Sequence, residues 1–192
     1  MGLGITALRA IVGTLFMGHG LQKLAGWFGG HGLEATGGAF EGLGLRPGKA
    51  HAAAAGLSET GGGLLLATGL LTPVGASAVT GSMTVAIAKV HAAKGVWVTG
   101  GGYEYNLVLI AAVFATVADG PGRWSLDERL GIRANGPGWA IAQLAAGTLG
   151  AAAVMRLAER SQPAAQAGPA MGTDGDRAES AAPAPAAAQT AG

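Results

Sequence analysis

The chain contains no cysteine. By itself it cannot run thiol–disulfide exchange, hold an iron–sulfur cluster by thiolates, or be stapled by disulfides, and this lack carries no information about compartment. Charge is also scarce, at 12% of residues, where a soluble domain carries roughly a quarter. Net charge is +1 and the basic residues form no dense patch. That argues against a nucleic-acid partner, because neutralising phosphates needs clustered Lys and Arg. What is present is apolar and small: 49% of the 192 residues are hydrophobic and 36 are glycine. The balance points to a membrane protein.

A span needs about 20 largely apolar residues. The first is expected over residues 3–24, the second over 50–71, the third over 73–93 and the fourth over 104–118. A fifth apolar run covers 139–157 and is less patterned than the others. Thr72-Pro73 reads as a cap followed by proline at the first helical position, so spans two and three form a tight hairpin. Residues 26–49 and 94–105 read as glycine-rich loops. Between span four and the fifth run, Ser125-x-x-Glu128 is a capping box and Gly131 a stop, which predicts a short interfacial helix. The start MGLGIT fits the M-G-x-x-x-[ST] myristoylation pattern, as many chains do by chance, but Gly2 leads straight into an apolar run, and no basic residue precedes Arg9 as a signal peptide would require. An uncleaved first transmembrane helix is the expectation. The fold class is therefore all-α: a transmembrane four-helix bundle over 1–131, an extra apolar helix over 132–160, and a disordered Ala/Pro-rich tail over 161–192.

The first span, RAIVGTLFMGHGLQK over 9–23, organises the rest because it carries Arg9, His19, Gln22 and Lys23. A mid-bilayer Arg is unfavourable by about 2.5–3.5 kcal/mol on insertion scales, so such groups face a bundle interior and find partners. Glu59, inside the second span, is the leading acid. If the spans alternate, His19, Gln22, Lys23, His51, Lys89, His91, Glu104 and Asn106 all lie near one side. Glu59 is then roughly 13 Å deeper at 1.5 Å per residue, and Arg9 deeper again. The polar groups are expected to line one pocket that opens at the first and third loops.

Each residue also has a plainer reading. Lys23 and Lys89 can snorkel to head groups, His51 can be ordinary interfacial polarity, and Arg9 with Glu59 can be a buried pair that fixes register. His19 and His91 fit a bis-histidine haem, a proton relay or a quinone head-group site. The histidines and carboxylates lack the tight spacing of metal ligands, so no metal site is assigned. Gly13 and Gly20 flank Phe16 on the first helix, and Gly56 and Gly63 flank Glu59 on the second. Small residues so placed let membrane helices approach closely.

Several of these segments together resemble the DoxX family of small bacterial and archaeal membrane proteins. The resemblance runs through most of residues 5–131. It rests on Arg9…Gly13, HGLQKLAGWFGG over 19–30, and Glu59 with the GGGLLLATGLLTP that follows it. It continues through Ala86…His91, GGYEYNL over 101–107, and the closing DGPGRWSLDERLG. The resemblance implies a four-helix membrane bundle linked to redox complexes. Some relatives are subunits of a thiosulfate:quinone oxidoreductase, and others are thought to assemble with superoxide-detoxifying and sulfur-handling partners. Arg9, His19, Lys23, Glu59, His91 and Glu104 match the family's intramembrane polar pattern.

The resulting expectation is a multi-pass plasma-membrane subunit of a quinone-linked oxidoreductase complex. His19, Glu59, His91 and Glu104 would handle protons, and Arg9, Gln22, Lys23, Lys89 and Asn106 would hold the ligand. Its partners would be the lipid bilayer and redox proteins that supply electrons, and its one cofactor a non-covalent quinone. The alternatives are a non-catalytic scaffold that recruits soluble redox enzymes and, with less support, a small transporter. Counting Lys23, Arg46, Lys49, Lys94, Arg156 and Arg160 against Arg123, Arg129 and Arg133 puts the pocket's side in the cytoplasm.

Overall fold

A computed structural model describes residues 2–161, which are helical with no strand among them. The expected tail lies, from residue 162 onward, outside the described residues. Seven α-helices follow in order: α1 (Leu3–Ala25), α2 (Gly32–Gly42), α3 (Gly48–Thr68), α4 (Thr72–Ala86), α5 (Glu104–Ala118), α6 (Leu126–Leu130) and α7 (Pro137–Arg160). After Ala86, α4 widens into a π-turn, Ile87–His91, followed by a 3₁₀ turn, Ala92–Lys94. Four of the five expected spans begin and end within about three residues of these helices. Two helices, α1 and α7, are long and apolar enough to cross a membrane alone; α5 is apolar but shorter.

α1 lies along α3, and α4 packs on α3, α5 and α7. The glycines decide the first contact. A Cβ on Gly13 would sit 2.5 Å from the Gly63 carbonyl oxygen and 2.8 Å from the Ala67 Cα. A Cβ on Gly20 would sit 2.5 Å from the Gly56 carbonyl. Pairing 13 with 63 and 20 with 56 makes the two helices antiparallel, with two seven-residue glycine steps in register. On the other side of α4, Ser77 Oγ donates to the Gln143 carbonyl at 3.2 Å, and Thr80 Oγ1 donates to Gln143 Oε1 at 3.1 Å. α7, the extra apolar helix expected over 132–160, docks on α4. The core between the helices is built from Val12, Phe16, Leu66, Val79, Leu109 and Val113.

Two local expectations change. Residues 32–42 form α2, where a loop was expected. Four glycines in eleven residues lower its intrinsic propensity by about 1 kcal/mol each relative to alanine. Packing supplies the difference: α2 lies on α3 with Gly37 against the Lys49 backbone, and Glu34 pairs with Lys49. The start of α4 differs as well. Leu71, not Thr72, precedes the helix, and it adopts a left-handed conformation at φ 46° with no side-chain cap of its own. Buried Asp127 of α6 supplies the cap. It accepts hydrogen bonds from Leu71 N at 2.7 Å, Thr72 N at 3.0 Å and Thr72 Oγ1 at 2.6 Å. The Ser125 half of the expected capping box forms at α6, with Glu128 N donating to Ser125 Oγ at 3.2 Å and Gly131 ending the helix, while Ser125 N donates to the Gly122 carbonyl instead of to Glu128.

Candidate functional site

A cavity of about 740 Å³ opens among α1, α3, α4, α5 and α7. Its walls are mostly apolar: Phe16 from α1, Met83 from α4, Leu109 from α5, and small residues such as Gly81 of α4 and Gly150 of α7. Polar groups collect on this lining from four elements. α1 contributes His19 and Lys23, and α3 contributes His51 and Glu59. The π-turn contributes Lys89 and His91, and α5 contributes Asn106. A π-turn inserts one residue per turn and is often kept at functional positions.

Lys23 and Glu59 meet across α1 and α3, Nζ to Oε2, at 2.5 Å. Helical side chains lean toward the N-terminus of their helix. From the last turns of α1, Lys23 therefore reaches back along its helix toward Glu59. The pair is largely buried, with side chains 23% and 8% exposed. Breaking one partner of such a pair strands the other charge. Lys23→Met is expected to lower folding stability by about 3 kcal/mol. The double variant Lys23→Met with Glu59→Gln should recover most of that loss, as thermal unfolding in detergent would read.

The histidines have defined tautomers because their partners can only accept. His91 Nδ1 lies 2.7 Å from the Gly101 carbonyl oxygen. The proton sits on Nδ1 and leaves Nε2 as an acceptor. His19 Nδ1 lies 3.0 Å from Gln22 Oε1, an assignment held by Gln22 Nε2 donating to the Phe28 carbonyl at 3.1 Å. His51 uses Nε2 on the Arg46 carbonyl at 3.1 Å, so its Nδ1 is the acceptor. Asn106 Nδ2 has only a weak acceptor, the Met83 sulfur at 3.2 Å. Lys89 has no side-chain partner among the described residues.

Three of the expected site residues stand elsewhere. Arg9 does not line the cavity and does not meet Glu59. Its guanidinium donates to the carbonyls of Pro121 at 2.7 Å, Trp124 at 2.8 Å, Leu66 at 3.4 Å and, most closely, Ala67. The same N-terminal lean that turns Lys23 inward carries Arg9 toward the opposite end of the bundle. There the carbonyls of Leu66 and Ala67 near the end of α3, and those of Pro121 and Trp124, lie within its reach. Gln22 orients His19 and ties down the chain after α1, outside the lining. Glu104 opens α5, its backbone N–H bonded to the Val96 carbonyl at 2.8 Å, also outside the lining. The sequence reading passed over Asp127, which gave no signal beyond its place in the capping box; His51, counted among the groups near the pocket's side and also read as interfacial polarity, lines the cavity.

Among the described residues no group of three or more His, Asp or Glu is placed to hold a metal ion. The arrangement is instead that of an apolar cavity with a small cluster of donors and acceptors, built within a small helical protein whose outward faces are themselves apolar. Residues 4–92, from α1 through the π-turn, match the DoxX family model. That match and the apolar helices together support a membrane protein. The matched segment ends before α5, short of the 5–131 over which the resemblance was read. No curated protein and no solved structure matches the chain.

Proposed function

We propose that this chain is the membrane subunit of a quinone-linked redox complex, crossing the plasma membrane with α1, α3, α4 and α5 as a four-helix core and α7 as a fifth crossing. Large apolar side chains face outward along these helices, among them Ile11, Leu57, Leu64, Val108, Ile141 and Leu149. In water such a belt would cost stability; against lipid tails it does not. Exposed aromatics flank the belt: Trp27, Phe28 and Trp97 follow α1 and α4 at one end, and Trp124 and Trp139 lie at the other. That is the placement of interfacial anchors.

The observation that carries the redox reading is the cavity. Its volume falls in the range of small-molecule sites, about 300–1,000 Å³. A quinone needs hydrogen-bond donors for its ring oxygens, an acceptor for each hydroxyl in its reduced form, and an apolar path for its tail. Lys23, Lys89 and Asn106 offer donors, and His91 Nε2 and His19 Nε2 offer acceptors. The small residues of α4 and α7 leave a smooth apolar wall for the tail. A bound quinone supplies two-electron, two-proton chemistry, and a partner chain supplies the electrons. The chain's own residues hold the head group, exclude water with Phe16 and Leu109, and keep the Lys23–Glu59 pair and the imidazoles within reach for proton exchange.

Calorimetric titration of the purified full chain with a short-tailed quinone should give saturable binding at one site. His91→Ala should weaken it about tenfold, the worth of roughly 1.4 kcal/mol. Absence of saturable binding, or affinity unchanged by both His91→Ala and His19→Ala, would remove the quinone reading.

A further inference from the structure

The cavity's charges do not cancel. Glu59 is the one carboxylate on the lining, and Lys23 occupies it at 2.5 Å. Lys89 also lines the cavity, half-buried, and has no anion beside it among the described residues. Glu104, the nearest acidic residue in sequence on α5, is off the lining and makes no ion pair. A cation in an apolar wall without a partner is costly, and an anionic or strongly accepting group relieves that cost.

His91 stands on the same π-turn and lines the same cavity. Its Nδ1 proton is committed to the Gly101 carbonyl, so the ring offers the cavity an acceptor at Nε2. One turn thus presents a positive donor and a neutral acceptor together. A quinone ring oxygen satisfies Lys89 but leaves Nε2 empty, whereas a plain hydroxyl satisfies Nε2 but does little for Lys89. An acidic O–H group satisfies both.

We propose that the cavity selects a single-tailed amphiphile whose head is an oxygen acid: the acidic hydroxyl hydrogen-bonds His91 Nε2, and its conjugate oxygen or neighbouring carbonyl faces Lys89. The proton has two resting places along that bond. Moving it from oxygen to Nε2 breaks O–H and forms N–H, leaving an oxyanion beside Lys89 and an imidazolium still bonded to Gly101. Proton count and net charge are the same either way, and Lys89 is opposite the negative density in both. A hydroxyquinone and a long-chain carboxylic acid share this head chemistry. The inference takes the cavity of the proposed function as its site, and so rests on that reading of where ligand binds; the identity of the head group is what it adds.

Three probes with the same alkyl tail separate the cases: a 2-hydroxy-1,4-naphthoquinone, its O-methyl ether, and a fatty carboxylic acid. Each is titrated calorimetrically into the full chain in detergent. The hydroxyquinone is expected to bind about tenfold or more tightly than its ether. Lys89→Met and His91→Ala should each erase that difference, and Lys89→Arg should keep it. Lys89 has no side-chain partner among the described residues, so the Met variant is expected to remain folded, and an unchanged thermal unfolding midpoint in the same detergent would serve as the check. Equal binding of hydroxyquinone and ether by the native chain would overturn the acid-head inference and leave the quinone reading standing. Binding of the carboxylic acid with neither quinone bound, weakened by Lys89→Met, would support the acid head and remove the quinone. If none of the three binds, both readings fall.

Discussion

Gly13→Leu is expected to remove most of the folded protein, whereas Gly18→Leu, five residues along the same helix, is expected to leave it intact. At Gly13 the added atoms would press on the Gly63 carbonyl and the Ala67 backbone, with contacts below 3 Å for the Cβ alone. Backbone cannot move aside as a side chain does, so α1 must lift off α3 and carry the Lys23–Glu59 contact with it. Overpacking a tight contact costs about 1–3 kcal/mol where side chains can repack. A clash with backbone belongs at or above the top of that range. At Gly18 a Cβ meets nothing within 4 Å, and the new side chain would point away from the bundle. Thermal unfolding of the two variants in the same detergent, followed by circular dichroism, gives the comparison. Similar midpoints would mean that α1 and α3 do not pack through the Gly13–Gly63 register. In the proposed membrane setting, where burial of apolar surface adds nothing between helices, this close backbone approach would be the main source of association between α1 and α3.

Arg9→Met should be nearly as damaging, and for the opposite reason: it removes partners instead of crowding them. Arg9 is 2% exposed and donates to four carbonyls that close the end of α3 and the connection between α5 and α6. A methionine of similar length fills the space but takes the Arg9 donor from the Ala67, Pro121 and Trp124 carbonyls, while the Leu66 carbonyl keeps the Gly69 N–H. Loss of one side of a buried charged network costs about 3–5 kcal/mol. Arg9→Lys is expected to rescue little of it, because one ammonium cannot reach acceptors spread around a planar guanidinium fork. The carboxylate of Asp127 keeps its bonds to Leu71 and Thr72 in either variant, so the start of α4 should survive. The discriminating readout is ligand affinity. In whatever fraction of Arg9→Met folds, binding in the cavity should be unchanged, since Arg9 sits at the far end and is not on the lining. A folded Arg9 variant that loses binding selectively would return Arg9 to the site.

These two cases mark how far the sequence could be read. The seven-residue glycine steps at Gly13 and Gly20, and at Gly56 and Gly63, were legible because close packing of helices needs a missing Cβ, and spacing along a helix is a property of sequence. The clustering of His19, Lys23, Glu59, Lys89, His91 and Asn106 near one end was legible for a related reason. Alternating spans force their ends to coincide, and few places tolerate polar groups away from lipid. Arg9 was placed at about the right depth on α1 and given the wrong partner. Depth counts residues, but whether a long side chain runs up or down its helix depends on the lean of the Cα–Cβ bond and on which acceptors wait at each end.

From composition and order alone, the chain was bound to be an all-helical protein with apolar helices in this succession, a cap at Ser125 and small-residue seams, since local hydropathy, glycine spacing and capping chemistry are carried by neighbours in sequence. Only tertiary structure decided that Lys23 rather than Arg9 meets Glu59, that α2 forms on the surface of α3, that Asp127 caps α4 from 55 residues away, and that Lys89 and His91 come to share one widened turn of a cavity wall. Each of those outcomes depends on which unsatisfied group lies within reach in three dimensions, and that is a matter of packing between helices.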